Sequence, residues 1–324
     1  MMKGMELVID FILLYRGGLC KLLFYFLQNQ IQFLEDFMDN LSNIGVIRDV
    51  LSRHGFTFSK ALGQNFLVNP TVCPRMAELG GAKAGVGVIE IGAGVGVLTA
   101  ELAIRADKVV CIEIDARLLP VLAETLAGYQ NVEIVNADVM RVDLHALIAE
   151  KFSGMEVVVC ANLPYYITSP IIMSLLEQRL PVKSITVMVQ KEAAQRLCAE
   201  PATREVGAVT IAVRYYSVPK VLFQVSRGSF MPSPDVDSTV IRLDIRERPQ
   251  YDVGDEKAFF AVVKAAFSQR RKTILNCLAS GLSLAKPDTA ALLETAGVPG
   301  TARAEQLTME QFAALSRAAK EMKR

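Results

Sequence analysis

Residues 86–96 read VGVIEIGAGVG, an apolar run followed at once by three closely spaced glycines. The run at 86–91 has the length of a strand buried on both faces, and glycine permits the sharp backbone turn that follows it. Residues 97–105 then show the spacing of an amphipathic helix. This stretch predicts a strand, a glycine turn and a helix, with the turn open to close approach by a ligand.

The same alternation continues on the C-terminal side of this stretch. Further strands are predicted at 108–114, 132–135, 156–161 and 185–189, with a helix at 118–126. Residues 218–225 and 238–245 flank a proline-rich connection and predict an antiparallel pair at the end of the sheet. The fold class is therefore α/β, with an open, Rossmann-like and mostly parallel sheet that binds ligands at the carboxyl ends of its strands.

After residue 249 the pattern is purely helical. Helices are predicted at 256–267, 271–278, 289–296 and 309–320. We therefore expect a sheet domain over residues 38–245 and a small all-helical domain over residues 246–324.

Residues 1–37 differ in composition from the rest of the chain. A membrane anchor or a signal peptide is one interpretation of their apolar runs, but Asp10, Arg16 and Lys21 interrupt every window of the ~18 residues that a span needs. No small-residue cleavage site follows these runs. We favour an extension outside the catalytic fold, such as a start-site artefact with Met38 as the true first residue.

Composition excludes several classes of protein. With 324 residues, 52% of them hydrophobic and 21% charged, the chain is globular, not disordered. It has two histidines, His54 and His145, and six cysteines without a C-x-x-C pair. Such usage predicts neither a metal site nor a disulfide scaffold, and indicates a reducing compartment such as the cytoplasm.

Charge is unevenly distributed along the chain. Residues 1–179 carry 19 acidic and 14 basic side chains, whereas residues 180–324 carry 21 basic and 15 acidic ones. The C-terminal half is therefore the electropositive half, which is a weak indication of a polyanionic partner.

The glycine turn is the first candidate site. Gly92 and Gly94 allow close approach of the backbone to a ligand, although a plain strand–helix turn is the other interpretation. The third glycine is Gly96, whereas the dinucleotide fingerprint would place it one residue later, at Val97. This spacing disfavours a nicotinamide-dependent dehydrogenase.

Two acids follow the next strands. Glu113 ends the second strand, where a carboxylate can accept both hydroxyls of a ribose. Asp138 follows the third strand and can accept the exocyclic amine of an adenine. Each acid alone is compatible with a solvated strand end, but with the glycine turn they occupy three successive strand ends. Together they predict a site for an adenosine.

The fourth strand ends in Asn162-Leu163-Pro164-Tyr165. An adenine amine is a poor nucleophile because its lone pair is delocalised into the ring. The Asn162 amide oxygen and the Leu163 carbonyl oxygen can accept hydrogen bonds from its two N–H groups. This localises the lone pair on the nitrogen. Pro164 holds the turn rigid, and Tyr165 offers a ring to a base taken out of its stack. A β-turn with a buried tyrosine is the alternative.

These motifs resemble the S-adenosylmethionine-dependent rRNA adenine-N6 dimethyltransferases, and among them those of the small ribosomal subunit. The resemblance spans roughly residues 45–320. It also includes LGQNFL at 62–67, QKE at 190–192, the F-x-P-x-P and VDS motifs at 230–238, and FSQRRKT at 267–273. It implies a class I methyltransferase sheet with S-adenosylmethionine as the cofactor.

The resemblance also assigns roles to individual residues. Asn65 and Leu67 would lie over the cofactor, and Gly92 would contact it through its backbone. Asn162 would face the reacting nitrogen, and Phe230 would form a second aromatic wall against the base, although a core phenylalanine is an equal alternative. The chain departs from the family at three positions, which leave the fine-tuning of substrate recognition open: Ala93, Tyr166 and Ser233.

The reaction implied is transfer of methyl groups to the N6 amines of two adjacent adenosines in the 3′-terminal hairpin of small-subunit rRNA, with a role in 30S biogenesis. A basic cluster on a predicted helix start would hold rRNA in the 30S precursor; it consists of Arg270, Arg271 and Lys272. We expect a monomer without metal or membrane attachment. A large-subunit dimethyltransferase of the macrolide-resistance type and a non-catalytic assembly factor remain the alternatives.

Overall fold

The computed structural model describes residue 41, residues 43–57 and residues 64–322. The proposed extension at 1–37 lies outside these residues, as do the first two residues of the LGQNFL motif. Among the described helices, none combines the length with the apolar composition that a membrane span requires.

The chain alternates between strands and helices up to residue 245 and is helical thereafter. The strands are β1 (Phe66–Leu67), β2 (Val86–Ile91), β3 (Lys108–Glu113), β4 (Val132–Asn136), β5 (Glu156–Asn162), β6 (Ser184–Gln190), β7 (Ser217–Val225), β8 (Phe230–Met231) and β9 (Ser238–Ile245). The helices are α1 (Ile44–Arg53), α2 (Val72–Leu79), α3 (Val97–Arg105), α4 (Leu119–Thr125), α5 (Leu144–Lys151), α6 (Thr168–Glu177), α7 (Lys191–Leu197), α8 (Ala208–Tyr216), α9 (Glu256–Ala266), α10 (Ile274–Gly281), α11 (Lys286–Thr295) and α12 (Met309–Glu321).

Seven strands form the main sheet, in the order β4-β3-β2-β5-β6-β9-β7. The first five are parallel, and β9 pairs antiparallel with both β6 and β7. The α/β prediction is confirmed, with each of its strands found within one residue of the expected ends. The parallel strands carry apolar residues on both faces because helices cover both sides of the sheet.

The strand β7 forms one edge of this sheet. A register shift between Val221 and Phe223 interrupts its pairing with β9, and Pro219 lies within the strand. Its lysine, Lys220, forms an ion pair with Asp244 of β9 at 2.7 Å.

A second, two-stranded sheet was not predicted from the sequence. In it β1 pairs antiparallel with β8, so that Leu67 lies opposite Phe230 and Phe66 opposite Met231. The Val68 amide also donates to the Ser229 carbonyl at 2.8 Å. This small sheet brings the segment before β2 against the segment that follows β7.

The C-terminal helices pack against the same core as one face of the sheet. Tyr216 of α8 stacks on Phe260 of α9 with the rings 15° from parallel, and Tyr215 packs against Phe259 with ring centroids 5.2 Å apart. The hydroxyls of both tyrosines donate to the Glu256 carboxylate. The division of the chain near residue 246 remains a prediction, since these contacts join the helices to the sheet.

Two helix starts were predicted three residues away from their position in the structure. The helix predicted over 289–296 begins at Lys286, as α11, and the other case is α10. The sequence suggested a helix over 271–278, whereas α10 begins at Ile274, with Thr273 extended as its N-cap. The Ile274 amide donates to the Ala302 carbonyl at 2.7 Å, and the Leu275 amide donates to the Gly300 carbonyl at 3.5 Å. The connection between α11 and α12 therefore satisfies the first helical amides, and the residues before Ile274 form a turn.

A buried carboxyl lies inside the parallel sheet. Glu90 of β2 is 1% exposed and stands opposite Cys111 of β3 and Cys160 of β5. The Cys111 thiol donates to Glu90 Oε2 at 3.2 Å. Burial raises the pKa of Glu90 from 4.5 to about 7, assisted by the nearby charge of Glu113 and opposed by hydrogen bonds from Thr99 and Cys111.

This pKa predicts a pH-dependent free energy of unfolding. A folded-state pKa above the unfolded value gives stability that is full below pH 4.5 and is lost as the pH rises through about 7. Glu90→Gln removes the ionisable group. The free energy of unfolding of the variant, relative to that of the wild type, should therefore rise by up to about 3 kcal/mol between pH 4 and pH 8.

Urea unfolding of the cofactor-free protein across this range measures the difference. A difference in unfolding free energy that stays constant from pH 4 to pH 8 would contradict the assignment.

Candidate active site

A cavity opens at the carboxyl ends of the parallel strands, as expected for an open α/β sheet. The candidate catalytic, cofactor and base-wall residues all line it: Asn65, Leu67, Gly92, Gly94, Glu113, Asp138, Asn162, Leu163, Pro164, Tyr165 and Phe230. The structure thus brings together residues from separate segments of the chain. Their individual roles remain predictions.

The glycine turn follows β2 directly. Its three glycines have φ angles of +79° at Gly92, +59° at Gly94 and +90° at Gly96, a region that side chains with a Cβ rarely adopt. A Cβ on Gly92 would lie 3.9 Å from the main-chain oxygen of Asn162. The turn therefore exposes backbone to the cavity directly beside the end of β5.

Glu113 is fixed by main-chain donors. Its carboxylate accepts hydrogen bonds from the Gly94 amide at 3.1 Å and from the Asp115 amide at 2.9 Å. Burial raises its pKa, while hydrogen bonds from the backbone at Asp115, Gly94 and Ile114 lower it. A carboxylate has about four acceptor sites, so these bonds leave it able to accept from a ribose hydroxyl.

The loop after Glu113 is held by a polar network. Hydrogen bonds from the Arg117 guanidinium hold the pKa of Asp115 below its usual value. Gln64 Nε2 also donates to Asp115 Oδ2 at 2.8 Å. Because Gln64 and Asn65 line the cavity as well, this network ties the segment before β1 to the Glu113 loop.

Asp138 lies just beyond β4 at the rim of the cavity. Its Oδ1 accepts from the Met140 amide at 3.0 Å, and Oδ2 lies 3.7 Å from the guanidinium of Arg141. The carboxylate is therefore oriented by its own turn, with one oxygen only loosely paired. This arrangement suits an acceptor for an adenine amine.

Many apolar residues that line the cavity were not singled out in the sequence, and two of them lie beside the strand-end acids. Ile114 and Val139 both line it, and each directly follows one of the two strand-end acids. Ile114 is 54% exposed, which is unusual for an isoleucine beside a buried strand. Their position straight after each acid is the one signal that the sequence offers for them, and that pattern is too common to identify them by itself.

The Asn162–Tyr165 turn leaves β5 toward the same cavity. Leu163 is fully buried, and the Pro164 carbonyl accepts from the Ile167 amide at 3.2 Å and from Thr168 Oγ1 at 3.1 Å. Within the described ranges, no residue donates a hydrogen bond to the Asn162 side chain or to the Leu163 carbonyl. Both acceptors expected for the adenine amine are therefore free of protein donors there.

The aromatic residues that line the cavity include Tyr165 and Phe230, the two that the sequence analysis expects to contact the target base. Tyr165 is half-buried, and its hydroxyl lies 2.6 Å from Ser238 Oγ, so that one hydroxyl donates to the other. Phe230 is 4% exposed on β8 and yet lines the cavity. Each ring contributes apolar surface on which a planar base can be buried.

The basic cluster lies elsewhere. Arg270, Arg271 and Lys272 are exposed in the turn between α9 and α10 and do not line the cavity. Their predicted position on a helix start is thereby corrected, because α10 begins only at Ile274. In the described part of the chain, no group of three or more histidine, cysteine or acidic side chains is placed to hold a metal ion.

Comparison with known proteins shows what the chain is similar to. The family model for ribosomal RNA adenine dimethylases matches residues 55–321. The ribosomal RNA small subunit methyltransferase A of Geobacillus thermodenitrificans is 48% identical over 283 residues, covering 86% of this chain and 97% of that protein. Its counterpart in Alkaliphilus oremlandii is 47% identical over 280 residues, covering 86% and 98%.

Solved structures agree with the fold. A dimethyladenosine transferase from Plasmodium falciparum has a TM-score of 0.64 at 26% identity, covering 77% of this chain and 95% of that one. The 23S rRNA methyltransferase ErmE has a TM-score of 0.61 at 28% identity, covering 79% and 100%. With a family match over most of its length and relatives at nearly half identity, the chain belongs to the ribosomal RNA adenine dimethylase family.

Proposed function

We propose that this chain transfers methyl groups from S-adenosylmethionine to the N6 amines of two adjacent adenosines in the 3′-terminal hairpin of small-subunit rRNA. The proposed setting is the 30S precursor in the cytoplasm, with the enzyme acting as a monomer during subunit biogenesis. The names and identities of its relatives support the small-subunit substrate. The observation that carries the proposal is the Asn162–Tyr165 turn in one cavity with the glycine turn and Glu113.

The hydrogen-bond acceptors and the exposed backbone of the cavity fit S-adenosylmethionine. When bound, this cofactor supplies a methyl group already activated by a sulfonium. Glu113 has acceptor capacity left for the ribose hydroxyls, and Asp138 offers an oxygen to the adenine amine. The left-handed backbone at Gly92 lets the main chain approach without the obstruction of a side chain.

The chain's own residues would prepare the nucleophile. The Asn162 amide oxygen and the Leu163 carbonyl oxygen accept hydrogen bonds from the two N–H groups of the target amine. These hydrogen bonds draw the lone pair of the nitrogen out of conjugation with the ring. Tyr165 and Phe230 hold the base between them. Because the methyl group is already activated, positioning of the two reactants accounts for most of the acceleration.

Asn162→Ala tests the role of the amide. Loss of this acceptor should lower turnover by about 100-fold, comparable with removal of one preorganised polar group in other enzymes. The dissociation constant for S-adenosylmethionine should change little, because Glu113 and Asp138 remain. Single-turnover methylation and isothermal titration measure the two quantities. Normal turnover in the variant would remove Asn162 from the mechanism.

The exposed turn with Arg270, Arg271 and Lys272 would meet rRNA phosphates. Replacing all three by Gln should weaken binding to small subunits and reduce the slope of log K against log salt by roughly one for each phosphate that is no longer neutralised. Binding measured across a range of salt concentrations gives this slope. Lys83→Gln, an exposed lysine before β2, is the control. An unchanged slope in the triple variant would place the RNA elsewhere.

Incubation with unmodified small subunits tests the proposed function itself. Purified protein and S-adenosylmethionine are added to small subunits and, in parallel, to large-subunit rRNA, and N6,N6-dimethyladenosine is quantified by mass spectrometry after digestion. We expect the product in small-subunit rRNA alone. Product in large-subunit rRNA would indicate an activity of the macrolide-resistance type. Binding of subunits and cofactor without any product would indicate an assembly factor.

A further inference from the structure

We propose that Ser238 is a positioning residue for methyl transfer, and that its hydroxyl holds the Tyr165 ring in the orientation on which the target base stacks. The inference rests on the proposed function and adds to it a residue outside the cavity. Ser238 does not line the cavity, whereas Tyr165 does. The two residues are 73 positions apart in the sequence.

The contact itself is short and sheltered. Tyr165 Oη and Ser238 Oγ are 2.6 Å apart, and Ser238 is 0% exposed. A hydrogen bond between hydroxyls at this distance has near-ideal length. Breaking it would leave a buried hydroxyl without its partner, so the geometry favours a ring that stays in place.

Ser238 is a rigid anchor. It is the first residue of β9, where it pairs with Gln190 of β6 on one side and with Val225 of β7 on the other. The residue before it, Asp237, accepts from the Lys191 amide through its carbonyl at 3.0 Å. The main chain of Ser238 is therefore held by backbone pairing on both sides, so that a single side-chain torsion separates the hydroxyl from a fixed Cα.

The Tyr165 ring has few other polar restraints. The bonds to the Pro164 carbonyl fix the backbone of the turn, but they do not set the side-chain torsions of Tyr165. The next residue shows the contrast. Tyr166 is 61% exposed and forms no hydrogen bond with any residue in the described ranges. Of these two adjacent tyrosines, only the half-buried one is tethered to the sheet by its hydroxyl.

The tether also decides which part of Tyr165 faces a substrate. Its hydroxyl is engaged by Ser238, and burial raises the pKa of this phenol above its ordinary value. The group therefore stays neutral, and the ring face is what the cavity offers to a base. Tyr165 acts by stacking, not as a proton acceptor.

The same bond links the two aromatic walls. Phe230 lies on the segment that leads into β9, and that segment is closed on itself by a hydrogen bond from the Arg227 amide to Asp237 Oδ1 at 2.9 Å. Ser238 is the next residue after Asp237. Through it, the turn that carries Tyr165 is joined to the segment that carries Phe230, which limits relative movement of the two rings.

Three single variants and a double variant test this role. Ser238→Ala and Tyr165→Phe each remove one partner, and Tyr165→Phe/Ser238→Ala removes both. The control is Ser184→Ala, because Ser184 is an equally buried serine at the start of β6 whose Oγ has no hydrogen-bond partner among the described residues. Methylation of unmodified small subunits, S-adenosylmethionine binding and urea unfolding are measured for each.

We expect Ser238→Ala and Tyr165→Phe each to lower kcat by about 3- to 10-fold, the range of one neutral hydrogen bond. The KM for subunits and the affinity for S-adenosylmethionine should stay the same, and Ser184→Ala should behave as the wild type. The share of N6-monomethyladenosine should rise, since the second transfer must place a bulkier amine. The double variant should be no slower than the slower single variant.

Two outcomes would overturn the inference. If Ser238→Ala has the same kcat as Ser184→Ala, the hydrogen bond between Ser238 and Tyr165 does not affect catalysis. Independent, multiplying losses in the double variant would show that the two hydroxyls do not act through each other. Failure of the proposed function can be told apart from failure of this inference. In that case the wild type itself would form no N6,N6-dimethyladenosine.

Discussion

Parallel pairing of β3, β2 and β5 in a single register is the constraint on which the centre of the candidate site depends. Glu90 lies opposite both Cys111 and Cys160, so the three strands end at the same level. Glu113, the glycine turn and Asn162 consequently emerge side by side, although long stretches of chain separate them. A shift of one strand by one residue would move its end group away from the cavity and reverse which face each side chain occupies.

Local chemistry explains which parts of this arrangement are visible in the sequence. The strands are visible because burial on both faces requires unbroken apolar runs, and the turn is visible because left-handed backbone at Gly92 requires glycine. The candidate site was predictable to the extent that its residues end strands. Ile114 and Val139 escaped because an apolar residue after an acid has no distinctive pattern of its own.

Contacts between distant segments could not be predicted. The pairing of β1 with β8, the Tyr165–Ser238 hydrogen bond and the thiol beside Glu90 each join residues brought together only by the finished fold. The start of α10 is a similar case. Local sequence permits a helix from residue 271, but carbonyls of the connection between α11 and α12 accept the amides that begin it at Ile274. Non-local partners thus set the shape of the basic turn.

The edge strand β7 has a consequence for the behaviour of the protein at high concentration. Val218 and Val221 expose apolar side chains next to unpaired backbone, a combination that invites another chain to add a strand. Pro219 lacks an amide hydrogen, Lys220 carries a charge, and the irregularity at Val221 breaks the flat edge that a templating strand would need. Within the described residues, these features of β7 disfavour the addition of another strand and so protect this edge against aggregation.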